Sequence, residues 1–497
     1  MSLIVDALLR ALEPMSLLAI FIGTLLGIIF GALPGFTATM GVALLLPVTF
    51  GMKPVPALLM LTSIYGGAIY GGCIPAILVH TPGTPASAAT ALDGYELTKK
   101  GLGGKAIGVA TISSAIGGLI SVWALLLLAP PLSRLSLKFG PPEYFLLAVF
   151  GLSIIGSLAS KAMLKGLISA AFGLLLATIG IDIITGAYRF TFGSLWLEGG
   201  IPLVPALIGL FSLSQVLLVV EESKSHIVSV EDLGDQRILP TIQELRELMG
   251  TILYSSVIGV LIGILPGAGG SIASWVGYNE AKRISKTPEK FGTGHMAGVA
   301  APEAANNAVT GGALVPLLTL GIPGSGVAAV LLGGLIIQGL VPGRQLFTKY
   351  ADITYAVIVG LFFANIMMLI IGLLGARYAF KVSLIPVHTL FPVIVVLCVM
   401  GSFAVNNSLF DVGLMIFFGF LGYLMRKHGF APAPMTLGLI LGPMAEEGFR
   451  QSLALSKGAM IPYFLGRPVC VVLMLLIGAA LVVPLVLARS NKGSVSG

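Results

Sequence analysis

The chain has 497 residues, 56% of them hydrophobic and only 10% charged, with a mean hydropathy of +1.02. Soluble domains carry about 25% charged residues, so this balance excludes a soluble globular protein and predicts an all-α polytopic membrane protein. The net charge of +7 is what cationic cytoplasmic loops produce, and it implies no nucleic-acid partner.

The opening stretch, "MSLIVDALLRALEPMSLL", carries Asp6 and Glu13 and lacks a small-residue cleavage pattern, so the first span is expected to be retained. A helix needs roughly 20 apolar residues to cross a bilayer. Candidate runs lie at 16–33, 36–50, 55–80, 106–130, 143–159, 163–184, 201–220, 251–278, 311–341, 353–375, 383–405, 409–424 and 468–488. About 11 to 13 membrane segments are expected, some of them broken or re-entrant. Cys73, Cys398 and Cys470 are far apart in apolar surroundings. An odd count without a CxxC pair predicts small core residues, with no metal site and no disulfide framework.

The most polar stretch, 221–250, holds ten of the 49 Asp, Glu, Lys and Arg residues. It reads as a linker between a first membrane repeat, 1–220, and a second, 251–497. Thr241 and Glu244 have capping-box spacing, which predicts a short amphipathic surface helix over 241–249.

The two halves echo each other. "GIIFGALPG" at 27–35 matches "GVLIGILPG" at 259–267, and "PAILVHTPGTPASAA" at 75–89 aligns with "PLLTLGIPGSGVAAV" at 316–330. Two matching phrases in the same order read as an internal duplication. Seven apolar segments precede the second copy, and an odd number inverts it. Charge points the same way: Lys282, Arg283, Lys286 and Lys290 follow the second LPG, whereas only Lys53 stands in the matching stretch 49–58. The rich loop belongs on the cytoplasmic side and the poor one outside.

Each matched phrase contains a Pro-Gly pair that must interrupt a helix: Pro34-Gly35, Pro82-Gly83, Pro266-Gly267 and Pro323-Gly324. Transporters built from repeats bind substrate near the bilayer midplane at such interruptions. The restarted half-helix offers free N–H groups and a dipole end to an anion. Small residues that admit a ligand cluster there, and the predicted substrate set is Gly35, Thr37, Thr81, Gly83, Thr84, Ser87, Gly267, Gly269, Gly270, Ser271, Gly324 and Ser325, with Thr39 and Ser274 nearby.

In "GVAAPEAANNAVTGGALVP", Glu303, Asn306, Asn307 and Thr310 share one helix face. Polar residues in a membrane segment face a cavity or a partner. With carbonyls near Pro34 and Pro266 they form the predicted coupling-ion set; interhelical hydrogen bonding is the competing role for each. His80 is a candidate proton carrier or a structural residue. Asn406, Asn407, Glu446 and Glu447 read as loop or solvated positions, and Lys99, Lys100 and Lys105 as cytoplasmic anchors. No GxxxxGK[ST], HExxH or GxSxG motif occurs. ATP hydrolysis, intramembrane proteolysis and esterase chemistry therefore have no visible machinery, and the chain is not expected to be an enzyme.

At these motifs the chain resembles a known family. "GALPGFTATMGVALLLP", "YGGAIYGGCIPAILVHTPGTPASAATALDGYEL" and "GVAAPEAANNAVTGGALVPLLTLGIPGSGVAAVLLGG" are similar to the large membrane subunit of tripartite tricarboxylate transporters, the TctA family, over residues 16 to 485. The resemblance implies a multi-pass protein of the bacterial inner membrane that imports citrate-like di- and tricarboxylates. It also implies a small membrane subunit, a periplasmic solute-binding protein and a sodium or proton gradient, with no cofactor beyond the coupling ion. A passive carboxylate channel or exporter and an intramembrane enzyme are the alternatives.

Overall fold

The computed structural model describes residues 2–33, 35–158, 163–222, 237–267, 269–376, 378, 381 and 391–493. Pro34, residues 223–236 of the expected linker and the start of the apolar run at 383 lie outside the described residues.

The first half opens with α1 (Ser2–Ala11) and α2 (Pro14–Ala32), then α3 (Ala38–Leu45), α4 (Pro54–Gly71), α5 (Cys73–Val79), α6 (Ala88–Lys99), α7 (Gly103–Leu135), α8 (Pro141–Leu158) and α9 (Met163–Ala177). A small antiparallel pair follows, β1 (Gly180–Ile181) with β2 (Tyr188–Arg189). Then come α10 (Leu203–Leu207), a π turn (Ile208–Leu213) and α11 (Ser214–Glu222). The second half runs α12 (Ile242–Ile264), α13 (Gly269–Ile284), α14 (Ala297–Leu320), α15 (Gly326–Ile337), α16 (Arg344–Phe347), α17 (Ala351–Gly375), α18 (Phe391–Asn406), α19 (Leu409–Lys427), α20 (Pro432–Leu455), α21 (Met460–Leu465) and α22 (Pro468–Gly493).

Proline opens α2, α4, α8, α20 and α22, where its missing N–H is an orphan anyway and its fixed φ suits a helix start. Among the described residues seven helices are long and apolar enough to cross a membrane, and five shorter apolar helices accompany them. The chain is a multi-pass α-helical membrane protein.

Several boundaries differ from the sequence reading. The Thr241–Glu244 capping box forms, but the helix it opens runs on to Ile264 rather than stopping near 249. Apolar residues from 251 onward let the surface turn continue into a membrane span. The run 163–184 ends its helix at Ala177, where the chain turns into the β pair. No span was expected over 432–455, yet α20 occupies it. Three prolines and three charged residues hid its apolar face, which packs on α8 and α9.

Glycines set how the long helices meet. Gly23, Gly27 and Gly31 of α2 lie against Met60, Ile64 and Ala68 of α4, so the two run side by side in the same direction. Gly259 and Gly263 of α12 lie against Ala305 and Val309 of α14, again in parallel. In each half the chain between the two helices must therefore return, which α3 and α13 do. Contacts between three helix pairs fix the relative directions of the halves. Gly117 of α7 lies against Ala304 of α14, and Gly311 of α14 against Ser121 of α7, so these two run in parallel. Gly118 against Asn365 and Gly372 against Thr111 make α7 and α17 antiparallel, while Gly360 against Leu59 and Gly372 against Tyr70 make α17 parallel to α4. It follows that α4 and α14 run in opposite directions, and with them α2 and α12, which carry the first pair of matched phrases.

Candidate functional site: four helix breaks around one cavity

Aligned residues of the two halves adopt the same backbone at their breaks. Leu33 and Leu265 end α2 and α12 in extended conformation, at φ −84° and −77°. Gly35 and Gly267 follow at φ 82° and 80°, a left-handed conformation that glycine adopts at no steric cost. At the second pair of breaks, α5 ends at His80 and α14 at Gly321, both left-handed (φ 56° and 73°). There the amides of Thr81 and Ile322 both donate to the carbonyl of the aligned proline, Pro75 or Pro316, at 3.3 Å. Gly83 then packs on the carbonyl oxygen of Gly31, and Gly324 on that of Gly263. In the second half Gly267 N–H also donates to Gly324 O at 2.9 Å, tying its two breaks together.

After the breaks the restarted helices converge. Thr37 caps α3 by accepting from Met40 N–H, and Ser325 caps α15 by accepting from Ala328 N–H. Ala38, Thr39, Gly326 and Val327 stand in the first turns of these helices, where amides have no acceptor within the helix. A cavity of about 320 Å³ is lined by Thr37, Ala38 and Thr39 from the first break, and Thr84, Pro85 and Ala86 from the second. Gly270 and Ser271 line it from the third, and Ser325, Gly326 and Val327 from the fourth. That volume is at the lower end of small-molecule sites. The first turns of α3, α13 and α15 thus bring three positive dipole ends to one space, with the short 3-10 turn Pro85–Ser87 ahead of α6 closing its fourth side.

The predicted substrate set divides. Thr37, Thr84, Gly270, Ser271 and Ser325 line the cavity. Gly83, Gly267 and Gly324 stand behind it and shape the breaks. Ser87 is buried beneath it, sharing a hydrogen bond with Thr84 at 3.0 Å. Thr81 is exposed and donates to Val79 O. Gly35 is exposed and accepts from Gln215 Nε2 through its carbonyl. Gly269 has φ 64° with open space around it. His80 is exposed, its ring against Tyr95.

The predicted coupling-ion set also divides. Glu303 is fully buried, and its two carboxylate oxygens accept from Thr90 at 2.6 Å and Ser114 at 3.1 Å. No cation pairs with it among the described residues. Asn306 and Asn307 are fully buried, and neither the oxygen nor the nitrogen of either amide has a hydrogen-bond partner. Such groups are ordinarily satisfied. Asn306 Oδ1 touches Gly270, so it stands immediately behind the cavity wall. Thr310 donates to Asn307 O at 2.7 Å, and Pro266 is buried in the turn after α12.

The substrate set read from the sequence contains no Arg or Lys, yet Arg426 lines the cavity. Its Nε is buried without a hydrogen-bond partner, and no carboxylate pairs with it among the described residues. The neighbouring Lys427 points outward to Glu221 and Tyr423. An Arg-Lys pair at the end of an apolar run reads as a membrane anchor. The 100° turn per helical residue sends the two side chains to different environments.

A larger cleft of about 960 Å³ holds Asp182, Arg189, Glu446 and Arg450. Arg450 donates to both oxygens of Asp182 and to Glu446, which also takes Arg189. The Thr185 hydroxyl, Arg450 and the Ile184 amide hold the Asp182 carboxyl well below the usual range. These charges satisfy each other, so Glu446 is ion-paired rather than merely solvated. The smaller cavity differs in holding a half-buried cation, Arg426, without an ion pair among the described residues, whereas Arg344 at the larger cleft is exposed.

A multi-pass bundle with paired, interrupted helices around an open cavity edged by hydroxyls and one arginine has the architecture of a membrane transport protein. The chain belongs to the Tripartite tricarboxylate transporter TctA family, whose profile matches residues 17–437, and is a subunit of such a transporter. An uncharacterized 52.8 kDa protein in the TAR-I ttuC' 3' region of Agrobacterium vitis is 40% identical over 474 residues, which cover 95% of this chain and 93% of that protein. An uncharacterized protein in the TAR-II ttuC' 3' region of the same organism is 40% identical over 200 residues, covering 40% of this chain and 83% of that protein. No solved structure matches the chain.

Proposed function

We propose that the chain is the large subunit of a binding-protein-dependent, ion-coupled importer of di- and tricarboxylates in the bacterial inner membrane. Its substrate occupies the cavity between the four breaks. The observation that carries this reading is the convergence of the starts of α3, α13 and α15 and the turn before α6 on one cavity, with the unsatisfied amide of Asn306 behind its wall. First-turn amides of α3 and α15 hold a carboxylate, with the hydroxyls of Thr39, Thr84 and Ser271 adding contacts. A periplasmic binding protein delivers the substrate and a small membrane subunit completes the complex.

Sodium is the coupling ion in this reading. It is a hard cation that takes several neutral oxygens, and Asn306 and Asn307 offer two amide oxygens that nothing else uses. Glu303 is already held by two hydroxyls and supports the helix junction. Proteoliposomes holding this chain, its small subunit and a binding protein are expected to accumulate labelled citrate or succinate only under an inward sodium gradient. Asn306→Ala should raise the sodium concentration needed for half-maximal uptake. Equal uptake without sodium would contradict sodium coupling and make Glu303 the candidate proton site.

The halves are proposed to be inverted repeats, supported by the opposed directions of α4 and α14 and the matched break geometry. Single cysteines at Met52 and Lys286 should react with membrane-impermeant reagents from opposite sides of the membrane. Labelling of both from one side would rule out inversion.

A further inference from the structure

We propose that Arg426 is a fixed anion-binding residue of this cavity and that it selects substrates with two or more carboxylates. The inference rests on the cavity being the substrate site, and goes beyond it by naming what sets substrate charge.

A guanidinium carries five donors in a planar fork that matches a carboxylate, and it keeps its charge at any physiological pH. Buried cations are normally paired. Arg426 lines the cavity with its Nε buried and unpaired, and no carboxylate among the described residues faces it. Within the fold its charge has no use, so its counter-ion comes from outside.

Position makes the partner more specific. Arg426 enters from the last turn of α19, while Thr37, Thr39, Ser325 and Gly326 enter from α3 and α15. A carboxylate on the guanidinium leaves the first-turn amides of α3 and α15 free for a second one. Each helix start is equivalent to about half a positive charge. Those of α3, α13 and α15 with Arg426 therefore give roughly two and a half positive charge equivalents, which suits a dianion or trianion and is in excess for a monocarboxylate. Lys427, pinned to Glu221 outside, does not contribute.

The test uses the purified full-length protein in detergent, with calorimetric binding of citrate, succinate and the monocarboxylate butyrate. Citrate and succinate should bind about 10- to 100-fold tighter than butyrate, the range of one or two charge-assisted hydrogen bonds. Arg426→Gln should erase that preference by weakening citrate and succinate far more than butyrate, and Arg426→Lys should keep part of it. Because Arg426 Nε makes no internal hydrogen bond, neither change removes one from that atom. On the unmodified protein, succinate should slow phenylglyoxal modification of Arg426, read by mass spectrometry, and butyrate should not. That arm holds whatever the variants do. An unchanged preference in Arg426→Gln, or unprotected Arg426, would overturn the role of this residue while leaving the cavity as the site. Failure of the unmodified protein to bind any of the three anions would remove the cavity reading and this inference together.

Discussion

Gly83→Ala is expected to abolish uptake and lower the melting temperature of the protein. A methyl group at position 83 would land inside the contact radius of the Gly31 carbonyl oxygen and meet Gly72 Cα at 3.0 Å. Both obstacles are backbone, so neither can rotate away. Overpacking of this kind costs about 1–3 kcal/mol, and the break shifts even if the fold survives. The hydrogen bond from the Gly83 N–H to Gly72 O would lengthen. Thr84 and Ser87 would move with it, because they pack on Gly72. Gly324→Val acts at the matching place, where its Cβ would lie 2.8 Å from Gly263 O and 3.3 Å from Ala313. It should lose transport by distorting the break rather than by blocking a ligand directly. Gly250→Ala, in the open flank of α12 with nothing within 4 Å, is the control and should gain about 0.5–1 kcal/mol of helix stability. Uptake per inserted molecule and thermal midpoints separate the three. Normal transport by Gly83→Ala would mean that the breaks are passive kinks.

The second large effect runs in the opposite sense. Asn306→Leu should stabilise the ligand-free protein and eliminate sodium-dependent uptake. Each buried, unpartnered polar group costs about 1–3 kcal/mol, and Asn306 carries two such atoms. Replacing it with an apolar side chain of similar size removes that burden. A residue kept only as interhelical glue would behave otherwise, since deleting it would break hydrogen bonds and lower the melting temperature. Thr90→Val is the contrast. It removes the 2.6 Å bond to the buried carboxylate of Glu303 and should destabilise. If Asn306→Leu both melts earlier and transports normally, Asn306 is structural.

Much of this arrangement was legible in the sequence, and the reasons are local. Leu-Pro-Gly at 33–35 and 265–267 demands a chain break wherever it occurs, because proline lacks a donor and glycine accepts positive φ. Matching phrases carry matching backbone, so one break predicts its partner. The capping box at Thr241 and the polar face of α14 follow from spacing alone. What spacing leaves open is which side of a turn faces inward. Thr81 and Gly35 flank their prolines as closely as Thr84 and Thr37 do, yet point to the exterior. Glu303 and Asn306 share a helix face, but α6 and α7 supply hydroxyls to one while α13 presents bare glycine to the other. Arg426 was hidden because its neighbour makes the pair look like an anchor. Each of these depends on contacts between segments far apart in the chain, which no local pattern encodes.

In the proposed function an organic anion occupies the cavity bordered by the starts of α3, α13 and α15. Thr39 borders the cavity and is partly accessible, while the native cysteines Cys73, Cys398 and Cys470 are all buried. The rate at which a thiol reagent modifies Thr39→Cys in the otherwise unmodified protein reports directly on occupancy. Citrate or succinate should slow that reaction in a concentration-dependent way, and an uncharged analogue of the same size should not. A rate unaffected by any carboxylate, in protein that still binds or transports one, would contradict the account.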